Sequence, residues 1–382
     1  METIKDIEMV QLIRSVFPPH PDDRRLGILV DIPRDPAHDS PDWQERRSLA
    51  VEWYHTLERI RSSLPLEDTV LIAYPDVGSN NADLPESGTI VKGELPSSAG
   101  ALAEAGETRS FHDIFRNTQI LLAPTQYSTT APLKVAAAKF GFRAATMPGF
   151  SSRMIPTLRL DYEEVNRRVL LLKERLDRAR GADVTFQVDT GDSLLMYFDL
   201  RFRTAHASTG RFPDRGTAGN LPSGEAYIVP YEGETGEISR TEGILPVQID
   251  DDVVYFHVKQ NVAEGVEGRD PATQSEKEHL EREPAYGNMA ELGFGVLADF
   301  GIQPVGKILL DEKLGFHIAF GRSEHFGGAV GPDDFSSPSE VIHLDRIYIP
   351  ATQPRIIVKS LVLLYEGGKG EIILEEGKYL VF

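Results

Sequence analysis

LGILVDI, residues Leu26–Ile32, and TVLIAY, residues Thr69–Tyr74, are two continuous apolar runs of strand length. The segment from Asp42 to Leu64 separates them and has helical spacing with an acidic residue at its start. A further short apolar run, Ile120–Ala123, comes before another helical stretch and the run Phe142–Met147. Continuous apolar strands that alternate with amphipathic helices are typical of a parallel, layered α/β unit. We therefore predict an α/β domain over residues 1–160.

The chain changes character after a clear amphipathic helix, Tyr162–Arg180. From Ala182 onward, short β runs such as VTFQV, DVVYFHV and RIIVKSLVLLY are separated by turns rich in Gly, Asp and Pro. Only Pro271–Glu283 and the stretch around Met289 have helical potential there. Upstream, Gly78–Gly106 is rich in Gly, Ser and Pro and predicts a long loop. The fold class we predict is thus an α/β N-terminal domain followed by a mostly β, or α+β, domain over residues 161–382.

Composition excludes several classes of function. The 382 residues include 40 basic and 59 acidic side chains, a formal charge of −19, which argues against binding nucleic acid or an anionic membrane. Because cysteine is absent, disulfides, thiolate nucleophiles and iron–sulfur clusters are excluded, and any metal must be held by imidazoles and carboxylates. We find no signal peptide and no run of about 18 apolar residues, so we expect a cytoplasmic protein without a membrane span.

Histidines and carboxylates in apolar surroundings are the candidates for chemistry. His343 and Asp345 are two residues apart in a strand pattern, so their side chains point to one face and form a two-ligand arrangement for a metal. His317 lies in another strand, between glycines. Glu225 and Glu291 stand beside apolar residues, where a carboxylate is costly to bury unless it is paired, protonated or bound to a metal. A turn cap at Glu225 and a surface carboxylate at Glu291 remain alternatives.

Several of these residues occur in motifs that resemble a known family. NLPSGEAYIVPYEGETG (Asn220–Gly236) resembles a signature of the thermophilic-type metalloaminopeptidases, the aminopeptidase T and aminopeptidase S family. Four further stretches resemble that family's motifs in the same order: AELGFG (Ala290–Gly295), DEKLGFHIAFG (Asp311–Gly321), HFGG (His325–Gly328) and IHLD (Ile342–Asp345). The resemblance covers about residues 141–382, and the first 140 residues match much less well.

The resemblance implies a set of metal ligands and an assembly. The implied ligands are Glu225, Glu291, His317, His343 and Asp345. The family has a tyrosine ligand seven residues after its first histidine, and here Glu324 occupies that position. We therefore expect Glu324 at the rim of the site as a further candidate ligand. Because family members are usually dimers, the resemblance also implies a homodimer.

The resemblance implies a metal-dependent aminopeptidase that acts on short peptides. Two divalent ions, zinc, cobalt or manganese, would acidify a water towards neutral pH for attack on the peptide carbonyl. A carboxylate must pass the proton to the leaving amine, and Glu225 and Glu291 are the candidates. One alternative is a non-haem iron(II) ring-cleaving dioxygenase, since two histidines and one carboxylate also make that metal site. A third is a family member that binds metal without catalysis.

Overall fold

A computed structural model describes residues 2–268 and 270–382. The chain forms two compact units, and each is built from several segments. The first comprises the residues up to Asn166, Ser208–Ser223 and Val305–Leu310. The second comprises Arg167–Ala207, Gly224–Pro304 and Asp311–Phe382. The predicted fold class, α/β elements together with a β-rich part, is confirmed, whereas a domain division after residue 160 stays a prediction.

Eight α-helices lie within the described residues. They are α1 (Asp6–Val16), α2 (Pro41–Ile60), α3 (Leu102–Ala105), α4 (Phe111–Arg116), α5 (Thr130–Phe140), α6 (Tyr162–Arg178), α7 (Pro271–Arg282) and α8 (Ile308–Asp311). The strands of the first half are β1 (Arg25–Ile32), β2 (Asp68–Pro75), β3 (Ser87–Val91), β4 (Gly106–Ser110), β5 (Ile120–Ala123), β6 (Arg143–Thr146), β7 (Ala179–Val188) and β8 (Ser193–Asp199). Those that follow are β9 (His206–Ser208), β10 (Ala218–Asn220), β11 (Glu225–Ile228), β12 (Glu242–Ile249), β13 (Asp252–Lys259), β14 (Val262–Glu267), β15 (Met289–Gly295), β16 (Phe316–Gly321), β17 (His343–Ile347), β18 (Ile356–Tyr365), β19 (Gly370–Glu375) and β20 (Lys378–Tyr379).

A seven-stranded sheet organises the first unit, in the order β10-β6-β5-β1-β2-β3-β4. Strands β10, β6, β5, β1 and β2 pair in parallel, and β3 and β4 add an antiparallel edge. Helix α2, which connects β1 to β2, begins where the Ser40 side chain caps the Trp43 amide and Pro41 supplies a fixed φ. The predicted parallel strands of this region are therefore confirmed.

Two sequence-based expectations about secondary structure are wrong. The predicted loop Gly78–Gly106 contains β3, whose sequence SGTIV is short and polar at its start and so gives a weak strand signal. It forms a strand because it pairs with the buried strand β2. The stretch around Met289 is β15, a strand buried along its whole length, and not a helix. Its glycines permit close packing against neighbouring strands, which helical periodicity does not reveal.

Antiparallel strands make up the second unit. Eight of them form one sheet in the order β14-β13-β12-β8-β7-β18-β19-β20. Strands β11, β15, β16 and β17 pair antiparallel in that order in a second sheet. Over residues 2–268 and 270–382, no helix combines the length and apolar composition needed to cross a bilayer.

Candidate metal site

One face of the sheet formed by β11, β15, β16 and β17 carries the candidate site. Tyr227 pairs with Gly293, and Gly293 pairs with His317 on the next strand. In the adjacent row, Glu291 pairs with Ala319, which pairs with Asp345. Because directly paired residues point to the same face of a sheet, these side chains share one surface. Glu225 lies two residues before Tyr227 on β11, and His343 lies two residues before Asp345 on β17. Both therefore point to the same face.

Small residues alternate with the functional side chains on this face and make room for them. A Cβ added at Gly293 would lie 1.9 Å from Nε2 of His317, so the imidazole occupies the space over this glycine. Ala319 separates Glu291 from Asp345, and Gly321 pairs with His343. The pattern of a functional residue followed by small residues at alternate positions is visible in ELGFG and HIAFG. Such alternation is a local sequence signal for a crowded sheet face, and it is independent of any family motif.

The side chains form two groups, in each of which ligand atoms lie within 4.8 Å of one another. Glu225, Glu291 and His317 make the first group, and Glu291, His343 and Asp345 make the second. The distance from His317 Nε2 to Glu291 Oε1 is 3.4 Å, and that from His343 Nε2 to Glu291 Oε2 is 3.3 Å. Glu291 thus directs one oxygen towards each of the two histidines, the arrangement that a carboxylate shared by two cations would need.

Backbone carbonyls orient both imidazoles. Nδ1 of His317 lies 3.1 Å from the Gly315 carbonyl oxygen, and Nδ1 of His343 lies 2.7 Å from that of Arg322. A proton on each Nδ1 is donated to the carbonyl, which leaves Nε2 directed at the carboxylates. Metal-binding histidines usually have this arrangement, because it fixes the tautomer and the ring orientation.

The electrostatics of the site favour positive charge. Burial opposes the charged form of His317, but the hydrogen bond to Glu291 and the neighbouring carboxylates raise its pKa to about 9. Burial is likewise outweighed at His343, where Asp345 and Glu291 raise the pKa well above its ordinary value. At Glu291 the two histidines outweigh burial and hold the pKa of the carboxyl well below its usual range. Either protonated imidazoles or bound metal cations would balance the negative charge of these carboxylates.

A buried ammonium restrains Glu225. Nζ of Lys313 binds Oε1 of Glu225 and Oε1 of Glu312, and the Lys313 side chain is 3% exposed. Oε2 of Glu225 is buried, makes no hydrogen bond, and lies 3.7 Å from Nε2 of His317. A buried carboxylate oxygen without a hydrogen-bond partner is costly. Its position beside an imidazole therefore fits a metal ligand, and the set of imidazoles and carboxylates as a whole fits zinc, cobalt, manganese or iron.

Five of the six side chains predicted for the site converge, and Glu324 does not join them. Its carboxylate forms two hydrogen bonds with the Arg322 guanidinium, of 2.7 and 2.8 Å, and the side chain is 39% exposed. The next residue, His325, lies at the rim instead, with its ring 5.3 Å from that of His343. The histidine side of the HFGG motif therefore faces the site, and Glu324 turns towards solvent.

Sequence reasoning missed four side chains of this region. Lys313 and Glu312 stand in the DEKLGFHIAFG motif but carry no metal-ligand pattern of their own. Tyr227 follows Glu225 by two residues, so strand alternation alone predicts that it shares the site's face. Burial, and then the charges of Glu291 and Glu225, raise the pKa of Tyr227 above its usual value. His325 stands in the HFGG motif but has no ligand pattern of its own, and only the tertiary structure brings its loop against His343.

Comparison with known proteins identifies the fold. No family model matches the sequence, and no curated protein matches it. Among solved structures, the 2,5-dihydroxypyridine dioxygenase of Pseudomonas putida KT2440 is similar, with a TM-score of 0.58 and 14% identity over 99% of each chain. AmpT from Thermus thermophilus is similar with a TM-score of 0.55 and 13% identity over 98% of each chain. The chain therefore has a fold that is similar, over nearly its full length, to those of these two proteins.

Proposed function

We propose that the protein is a metal-dependent aminopeptidase with a dinuclear site that removes N-terminal residues from short peptides. One observation carries the proposal: the two oxygens of Glu291 are directed at two different histidines, each in its own group of candidate ligands. Neither group contains both histidines. A site for a single ion would need neither a shared carboxylate nor the additional Glu225. The similarity to AmpT, an aminopeptidase T, supports the same class.

When bound, two metal ions would supply polarisation of the peptide carbonyl and a water of lowered pKa. Glu225, Glu291 and His317 would hold one ion, and Glu291, His343 and Asp345 would hold the other. Oε2 of Glu225 makes no hydrogen bond, so it is the oxygen that would bind an ion, and Glu225 and Glu291 are both candidates for passing the proton to the leaving amine. Lys313 binds the other oxygen of Glu225 and so fixes the orientation of this carboxylate.

A second candidate is a non-haem iron(II) ring-cleaving dioxygenase. It is favoured by the similarity to the 2,5-dihydroxypyridine dioxygenase, whose TM-score is close to that of AmpT. His317, His343 and Asp345 would supply its two imidazoles and one carboxylate. The direction of the two Glu291 oxygens, each at a different histidine, argues against it.

Metal analysis together with substrate assays tests both functions. We expect about two equivalents of zinc, cobalt or manganese per chain, release of N-terminal residues from aminoacyl chromogenic substrates, and loss of activity with a chelator. His343→Ala should lower metal content and activity together. His257→Ala is the matched control, because His257 is half exposed on β13 and pairs with Glu267. One iron per chain and oxygen uptake with 2,5-dihydroxypyridine would instead establish the dioxygenase. The implied homodimer is tested by sedimentation equilibrium.

A further inference from the structure

Four aromatic rings line one side of the candidate metal site, and we call them the aromatic wall: His206, Tyr227, His325 and Phe326. His206 and Tyr227 are stacked with ring centroids 5.1 Å apart, and Tyr227 meets Phe326 edge-on at 4.8 Å. Phe326 and His325 in turn contact the ring of His343, at 5.5 and 5.3 Å. The aromatic wall is therefore continuous from β9 and β11 to a proposed metal ligand.

The accessible side of the site lies next to the aromatic wall. The His317 and Glu291 side chains are 1% and 5% exposed, whereas the His343 side chain is 19% exposed and that of His325 is 33% exposed. Of these four side chains, those of His343 and His325 are the most exposed, and we infer that a substrate approaches the buried carboxylates from their side. On that side the rings of His325 and Phe326 lie against His343.

A hydrogen-bond network holds the loop that carries half of the aromatic wall. The buried carboxylate of Glu232 accepts hydrogen bonds from the Ser323 hydroxyl at 2.5 Å, from the Asn288 amide at 2.7 Å and from the Ala329 backbone N–H. Arg203 donates to the Gly327 carbonyl at 2.7 Å, and an imidazole nitrogen of His206 lies 2.9 Å from the Phe326 carbonyl oxygen. Fixing a binding surface before the ligand arrives reduces the entropy lost on binding.

We propose that the aromatic wall is the subsite for an aromatic side chain on the N-terminal residue of the substrate. Edge-to-face and offset-stacked ring pairs stabilise such a side chain more than its buried area alone does. The free amine and the carbonyl of the same residue would then lie over the carboxylates and the metal positions. This inference rests on the proposed peptidase function and adds the substrate class to it.

Binding of two metal-chelating probes tests the inference without turnover. L-phenylalanine hydroxamate and L-alanine hydroxamate are titrated calorimetrically into the zinc-loaded protein. We expect the phenylalanine probe to bind at least about tenfold more tightly, which corresponds to about 1.4 kcal/mol. Phe326→Leu keeps an apolar contact with His343 but removes the ring, so the ratio should fall below about threefold while the alanine probe changes less than about twofold. Tyr227→Phe keeps its ring and should retain the preference.

Phe202→Leu is the matched control, because Phe202 is 53% exposed and contacts Tyr231 rather than the aromatic wall. Metal content and thermal unfolding of each variant identify any loss of folding, and Phe326→Ala is then compared with Phe326→Leu. Equal affinities for the two probes, or a ratio unchanged by Phe326→Leu, overturn the inference and leave the peptidase proposal intact.

A different ligand separates the inference from the function on which it rests. If neither hydroxamate binds, the aminoacyl subsite and the peptidase proposal are both wrong. Binding of 2,5-dihydroxypyridine to the iron-loaded protein that is weakened about tenfold by Phe326→Leu would then show that the aromatic wall receives the ring of a dioxygenase substrate. If Phe326→Leu does not weaken that binding, the aromatic wall takes no part in binding either ligand.

Discussion

Gly293 shows how a residue without a side chain builds the site. Its neighbour across the sheet, His317, places its imidazole over the glycine, where a Cβ would lie 1.9 Å from Nε2. The imidazole is enclosed between strands and cannot move away without disturbing its bond to the Gly315 carbonyl. The glycine is therefore a steric requirement of the histidine.

We expect Gly293→Ala to weaken metal binding by about 10- to 100-fold, the usual effect of disturbing the groups that orient a metal ligand. The measurement is a zinc titration monitored with a competing chromophoric chelator. Gly265→Ala is the control, because Gly265 also lies in a strand of the second unit and a Cβ there meets nothing within 4 Å. An unchanged zinc affinity in Gly293→Ala would show that His317 takes no part in binding.

The buried ammonium of Lys313 stabilises the fold, because it neutralises carboxylates that are also shielded from water. We expect Lys313→Met to lower the free energy of unfolding by about 3–5 kcal/mol, since it leaves the carboxylates of Glu225 and Glu312 buried without their cation. Urea denaturation measures the change. Lys359→Met removes an exposed ion pair with Glu376 and should change stability by less than about 1 kcal/mol. Similar effects of the two substitutions would contradict the argument.

Among the secondary-structure elements, the loop between β16 and β17 depends on one carboxylate from another segment. Residues Ser323–Val330 fold back on themselves, with the Ser323 and Glu324 amides both donating to the Val330 carbonyl. Glu232 then ties this loop to Asn288, just before β15. The loop that faces the candidate metal site is thereby joined to the strand that carries Glu291.

Glu232→Gln should loosen this loop. The amide retains one acceptor but loses the charge, so we expect a loss of about 2 kcal/mol and faster hydrogen exchange at the amides of Ser323–Val330. Exchange measured by mass spectrometry locates the effect. The control is Glu237→Gln, which alters an exposed carboxylate paired with Arg201. Faster exchange spread over the whole second unit, instead of in the loop, would refute a local role.

Across the whole protein, the charge of the site links metal binding to pH. Because the pKa of His317 is raised to about 9, its imidazole is protonated at neutral pH in the metal-free protein. A metal ligand must be neutral at Nε2, so binding has to release protons. The apparent zinc affinity should therefore rise with pH up to about 9.

Calorimetric zinc titrations at pH 7 in buffers of different ionisation enthalpy measure this release, and we expect at least one proton per chain.

The raised pKa of His317 also stabilises the metal-free protein. This stabilisation is fully present below the unfolded pKa of about 6.5 and is lost as the pH rises through about 9. Urea denaturation of chelator-treated protein should therefore give a larger free energy of unfolding at pH 6 than at pH 9.5. Zinc binding without proton release would contradict the charged state of the histidines.

Much of the local structure, and the identity of the candidate ligands, follows from the sequence alone. Apolar runs such as Leu26–Ile32 specify buried strands, because few other structures bury every side chain of a short segment. Alternation in HLD specifies that His343 and Asp345 share a face. The resemblance of ordered motifs to a known family implies the five side chains that converge. The same reasoning failed at β3 and β15, where pairing with neighbouring strands outweighs local composition.

Which groups meet, and in what geometry, depends on the tertiary structure. Glu225 and Asp345 are far apart in the chain, and the register of four antiparallel strands brings them to one face. A shift of one residue in that register would turn the side chains of a strand to the opposite face. The position of Glu291 between two histidines, the ammonium of Lys313 beside Glu225 and the place of His325 beside His343 all depend on this register. Local sequence does not encode them, because each is a contact between segments distant in the chain.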